Sequence, residues 1–112
     1  MLLMKRILLG TACSLLFLMN YTEAQTMNNS TEALSPKERQ IAAISAHTAR
    51  GDMDGLKTAL AAGLDAGLSL NEIREVLVQM YAYCGFPRSL NALSSLMELS
   101  KERAARGIND RE

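Results

Sequence analysis

Tryptophan is absent from this chain, and its aromatic residues are three tyrosines and two phenylalanines. Charge of one sign is missing too, because 12 Lys and Arg balance 12 Asp and Glu. Without a basic surplus there is no attraction for a phosphate backbone, so no nucleic-acid partner is expected; without an acidic surplus, no basic partner is expected either. Histidine occurs once, as His47, and cysteine twice, as Cys13 and Cys84. That supply does not make a zinc site, and no metal or other cofactor is expected. No glycine-rich phosphate loop occurs. No segment alternates apolar and polar residues long enough to make a strand, and there is no internal repeat.

What is present begins with a leader pattern. Lys5 and Arg6 precede an apolar run from Ile7 to Met19. The run has the length of a secretory core and falls short of the roughly 20 residues that span a bilayer. Thr22 and Ala24 are small residues at the positions a signal peptidase reads. Residues 1–24 therefore read as a signal peptide cleaved after Ala24, giving an exported, periplasmic or secreted chain with no membrane attachment left. Gly10-Thr11-Ala12 before Cys13, with apolar residues continuing beyond it, does not fit a lipoprotein site. Cleavage leaves Cys84 as the one cysteine, which makes no internal disulfide. Gln25 to Leu34 is polar and aperiodic and reads as a flexible lead-in.

Helical signals fill residues 35–107. Ser35-Pro36-Lys37-Glu38 offers a cap, a first-turn proline and a capping box, and the helix should run to about Arg50 before Gly51 stops it. Asp52 caps a second helix whose Met53, Leu56, Leu60 and Leu64 define a buried stripe. Ser69 and Glu72 form another capping box, and Ile73, Val76, Leu77, Met80 and Cys84 share one face of the third helix. Pro87 starts a fourth helix, with Leu90, Leu93, Leu96 and Met97 as its stripe, ending at Gly107. Ile108 to Glu112 is a charged tail. The expected fold is all-α, a small domain of about four helices. A mature chain of about 88 residues is near the size where one core is marginal. Its apolar stripes exceed what a thin monomer core needs, so a homo-oligomer is expected.

One stretch carries a family resemblance. Leu70-Asn71-Glu72-Ile73-Arg74-Glu75-Val76-Leu77-Val78-Gln79, followed by Tyr83-Cys84-Gly85-Phe86-Pro87-Arg88-Ser89-Leu90-Asn91-Ala92-Leu93, resembles the carboxymuconolactone decarboxylase family, with its EIREVLLQ-type helix and YAGFP turn. The similarity extends over roughly Ser35 to Ala105. It implies an alkylhydroperoxidase D-like helical fold, homo-oligomers, and a single domain like the N-terminal half of longer tandem members. It also implies chemistry of one of two kinds, a thiol-dependent peroxidase (peroxiredoxin activity) or a lactone decarboxylase acting on a small molecule. The peroxidase branch needs a Cys-x-x-Cys pair, which would fall near Gly51 to Gly55, where this chain has none. The family's frequent helix-two histidine falls near Ala59, and Cys84 stands where the motif usually has alanine. A non-catalytic helical oligomerisation or interaction module that has lost the active site is the alternative.

The candidate catalytic residues are His47 and Cys84. Histidine suits acid–base work near neutral pH, although a surface or interface histidine would look the same in sequence. Cys84 ends its helix, where the dipole gives a thiolate no help, and it reads equally well as a small buried apolar residue. Tyr83, Phe86, Arg88 and Asn91 are the candidate substrate-binding residues around the turn between helices three and four, Arg88 as a partner for a substrate carboxylate. Glu72 reads as a capping residue before it reads as a pocket carboxylate.

Overall fold

The first long helix begins where its capping box places it. Ser35 Oγ accepts from the Glu38 backbone N–H at 3.3 Å, and Glu38 accepts from the Ser35 N–H at 2.8 Å. The computed structural model describes residues 2–7, 10–11, 14–15 and 34–112. It contains two separate units, residues 1–34 and residues 35–112. In the first, the described residues up to 15 are helical. The cleavage position at Ala24, Cys13 and nearly all of the expected lead-in lie outside the described residues. No described helix is long and apolar enough to cross a membrane.

The second unit is all-α. It consists of α1 (Pro36–Arg50), α2 (Met53–Asp65), α3 (Leu70–Cys84) and α4 (Phe86–Ala105). Helix α1 packs on α2 and α3, and α4 packs on the same two helices. Ile44, Leu56, Leu60, Ile73 and Leu77 are almost wholly buried where the helices meet. Truncating one of them, for example Leu77→Ala, should cost about 3 kcal/mol through lost transfer energy and an unfilled cavity. Gly63 lets helices pack closely here. A β-carbon at that position would lie 3.1 Å from Ile44 Cδ1 and 3.2 Å from Leu68 Cδ1.

The turns explain the connections. Gly51 adopts φ 70° and donates its N–H to the Thr48 carbonyl, ending α1 in a left-handed cap. Asp52 then caps α2 by accepting from the Gly55 N–H at 3.0 Å. Gly85, at φ 88° and ψ 163°, occupies backbone space open essentially to glycine alone and joins α3 to α4 in a single residue. Helix α4 therefore starts at Phe86, one residue earlier than its proline suggests.

The core face of α4 differs from the expected stripe. Ser89, Ala92, Leu96, Leu99 and Arg103 are buried, whereas Leu90 and Met97 are exposed. Ser89 donates to the Leu77 carbonyl at 2.7 Å, and this bond with the small Ala92 draws α4 tightly onto α3. Leu90 and Met97 are rotated outward, while Leu96 and Leu99 stay in the core. Met53 is exposed as well, leaving Leu56, Leu60 and Leu64 as the buried stripe of α2. The charged tail turns back on the fold. The Leu70 N–H donates to the Arg111 carbonyl at 2.9 Å, and Arg103 binds Asp110.

Candidate functional site

His47 lies one turn from the end of α1 and is half-buried. Its Nδ1 is 3.0 Å from Asp52 Oδ2, across the turn made by Gly51. Two bonds hold the Asp52 carboxyl below its ordinary value, first the Gly55 backbone N–H and then the bond to His47. An ionised carboxylate only accepts, so Nδ1 carries the proton and Nε2 is the nitrogen left for proton exchange. Gly55 completes the arrangement from below. A β-carbon there would collide with both the imidazole and the Asp52 carboxylate.

Arg88, on the first turn of α4, joins this corner. A β-carbon on Gly51 would lie 3.7 Å from Arg88 Nε. The connection that places Asp52 beside His47 thus also lies beside the Arg88 guanidinium, which has no ion-pair partner among the described residues. Arg50, at the end of α1, contributes to the same field and favours the charged form of Asp52. The turn therefore carries an imidazole–carboxylate pair, with Arg50 in its field and Arg88 against Gly51 between the two partners, residue types suited to proton transfer next to an anionic group.

The other candidates are not gathered there. Cys84 is half-buried at the last position of α3, and its Sγ–H donates to the Met80 carbonyl at 3.1 Å. It is less enclosed than the helical stripe implied, and no hydrogen bond joins it to His47. Tyr83 is 75% exposed, and Asn91 is likewise exposed on α4. Phe86 packs edge-on against Tyr81, with ring centroids 5.9 Å apart, and lines an apolar hollow on the outer face of α3 and α4. Glu72 is a cap. It accepts from the Ser69 N–H at 2.7 Å while Ser69 Oγ accepts from its own N–H.

Asp52 is the partner of His47 that sequence reasoning assigned only to capping. Its signal lies in the spacing, because a histidine one turn before a glycine stop and an aspartate just after it return to the same side of the turn. Neither the curated proteins nor the solved structures contain a match to this chain. A family model does match, over residues 16–98, which includes α1, α2, α3 and most of α4. On that match, the chain belongs to the carboxymuconolactone decarboxylase family.

Proposed function

We propose that this chain is an exported, homo-oligomeric member of the family whose chemistry is proton transfer of the lactone-decarboxylase kind. The observation that carries the reading is the 3.0 Å contact between His47 and Asp52 across the Gly51 turn, against which Arg88 lies. In such a reaction Arg88 orients a carboxylate of the small-molecule substrate. The carbon–carbon bond to the departing carboxylate breaks, carbon dioxide leaves, and the electron pair passes into the unsaturated lactone. For this step His47 first takes a proton from solvent on Nε2, giving an imidazolium whose Nδ1–H stays on Asp52; Nε2 then gives that proton to the carbanion, and the ring returns to its neutral Nδ1–H form. The thiol-peroxidase alternative is less well supported. The Cys84 S–H is engaged by the Met80 carbonyl, and a chain that has lost residues 1–24 holds no second cysteine to resolve a sulfenic acid.

The second reading is a non-catalytic oligomerisation or interaction module. It is favoured by Ala59, buried in the core near the point where the resemblance places the family's histidine. Carbon dioxide release from carboxymuconolactone separates the two. Turnover that falls at least 100-fold in His47→Gln, with unchanged helical circular dichroism, supports the enzyme. Absence of release from a folded wild-type oligomer supports the module.

A further inference from the structure

The outer face of α3 and α4 has a pattern that complements itself. Two adjoining hollows, of about 430 and 310 Å³, share Val78 and Leu93 at their junction. At one end stand Arg74 and Lys101, with Glu112 beside them. At the other end stand Tyr81 and Phe86, in edge-to-face contact and 57% and 58% exposed. Leu90 and Met97 lie between, also exposed. The face therefore carries two cations and one carboxylate at one end, two aromatic rings at the other and apolar side chains in the middle.

We infer that a second copy of this chain covers this face, with α3 lying antiparallel on the partner's α3 and α4 antiparallel on the partner's α4. The inference rests on the homo-oligomer reading above and assigns its interface. Two two-fold arrangements bring such a face onto itself. With the axis running along the helices, α3 meets the partner's α4, cations face cations and the aromatic pairs face each other. With the axis running across the helices at the level of Val78 and Leu93, each cationic end lands on the partner's aromatic end. The residue spacing fits the second arrangement. Arg74 and Tyr81 lie about equally far on either side of Val78, roughly 5 Å along the axis. On α4, Leu90 and Met97 flank Leu93, with Phe86 and Lys101 beyond them. Arg74 and Lys101 then stack on the aromatic rings, a favourable cation–π arrangement, while the apolar centre leaves water.

The test uses the full chain carrying Cys13→Ala and Cys84→Ala. Adding Val78→Cys should give a disulfide-linked dimer on mild oxidation, because Val78 lies next to its own copy. A mixture of Arg74→Cys and Tyr81→Cys chains should cross-link to each other. In the chain without added cysteines, Val78→Asp should weaken association at least tenfold by light scattering with unchanged helical circular dichroism, since this side chain is half exposed in the single copy. An oligomer in which Val78→Cys fails to link, but a mixture of Val78→Cys and Leu93→Cys links, overturns the proposed packing and leaves the homo-oligomer reading standing. A wild-type chain that remains monomeric at micromolar concentration, including one that binds an added fatty acid on this face, overturns both.

Discussion

Arg103 grips Asp110 through two hydrogen bonds of 2.8 Å each, and the two side chains are only 8% and 9% exposed. The same guanidinium reaches Asp65 at 2.9 Å. Asp110 first, and Asp65 with it, hold Arg103 in its charged form against the cost of burial. The bonds tie the end of α4 to the residues after it and to the end of α2. The tail is thereby held against the start of α3, where its backbone pairs with Leu70.

Asp110→Ala leaves this buried guanidinium with a single, largely exposed partner. Breaking a buried pair from one side is costly because a charge is left uncompensated. The expected loss is about 3 kcal/mol, read as a lower midpoint in urea unfolding. Asp65→Ala, which removes the exposed partner, should cost well under 1 kcal/mol. Equal losses in the two variants would show that the buried Asp110 contributes no more than the exposed Asp65.

Acid should weaken the fold through its caps. Glu38 and Glu72 are held below the ordinary glutamate value of 4.5 by the Ser35 and Ser69 backbone N–H groups respectively, and Asp52 below its value of 3.8 by the Gly55 N–H. A carboxyl with a lowered value in the folded chain contributes stability that is fully present above its unfolded value. That contribution disappears as pH falls through the folded value. Thermal unfolding should therefore be flat near neutrality and decline below the ordinary glutamate value. Glu72→Gln should be less stable at neutral pH and show a shallower acid decline. An unchanged acid limb in both Glu72→Gln and Asp52→Asn would refute the assignment.

Much of the fold was legible because its signals are local. Ser35 with Glu38, Ser69 with Glu72, and Gly51, Asp52 and Gly85 act within a turn of themselves, and each falls where the helices begin or end. The face that α4 turns to the core was not legible. Leu90 and Met97 are better apolar residues than Ser89 and Ala92, yet the buried face is the one that carries Ser89, bonded to the Leu77 carbonyl, with Ala92, Leu96 and Leu99. The site was half legible. His47 and Arg88 were found as isolated residue types, but the role of Asp52 depends on how Gly51 bends the chain, and capping already accounted for that aspartate.

Export has a direct readout. Lys5 and Arg6, the apolar run and Thr22-Glu23-Ala24 give the expectation that intact-mass analysis of the protein outside the cytoplasm finds a chain starting at Gln25. A full-length product retained in the membrane fraction would refute it.

Gly55→Ala tests whether the His47–Asp52 geometry matters apart from its chemical groups. Alanine in a helix is favoured over glycine by roughly 1 kcal/mol. The added methyl, however, occupies the space of the imidazole and the carboxylate. Overall stability should change by about 1 kcal/mol or less. The His47 ring resonances should shift, and lactone turnover should drop at least tenfold. Unmoved His47 resonances would show that the ring accommodates the methyl without losing its partner.

Cys84 separates the two chemistries of the family. A peroxidase needs a thiolate that attacks peroxide and a second thiol that resolves the sulfenic acid. Here the sulfur is half-buried at the end of α3, and its proton is donated to the Met80 carbonyl. Partial exposure lets reagents reach it, while the bond to the Met80 carbonyl holds its S–H, so labelling should be measurable but slow. Hydroperoxide consumption by the chain with a small dithiol should not exceed that of the dithiol alone. Cys84→Ala should retain the fold, lose about 1 kcal/mol or less, and keep whatever lactone turnover the wild type shows, because a small residue replaces a small one at a half-buried site. His47→Gln should do the reverse, leaving thiol labelling unchanged and abolishing turnover. Rapid labelling near neutral pH, with peroxide consumption that vanishes in Cys84→Ala, would transfer the chemistry from the imidazole to the thiol.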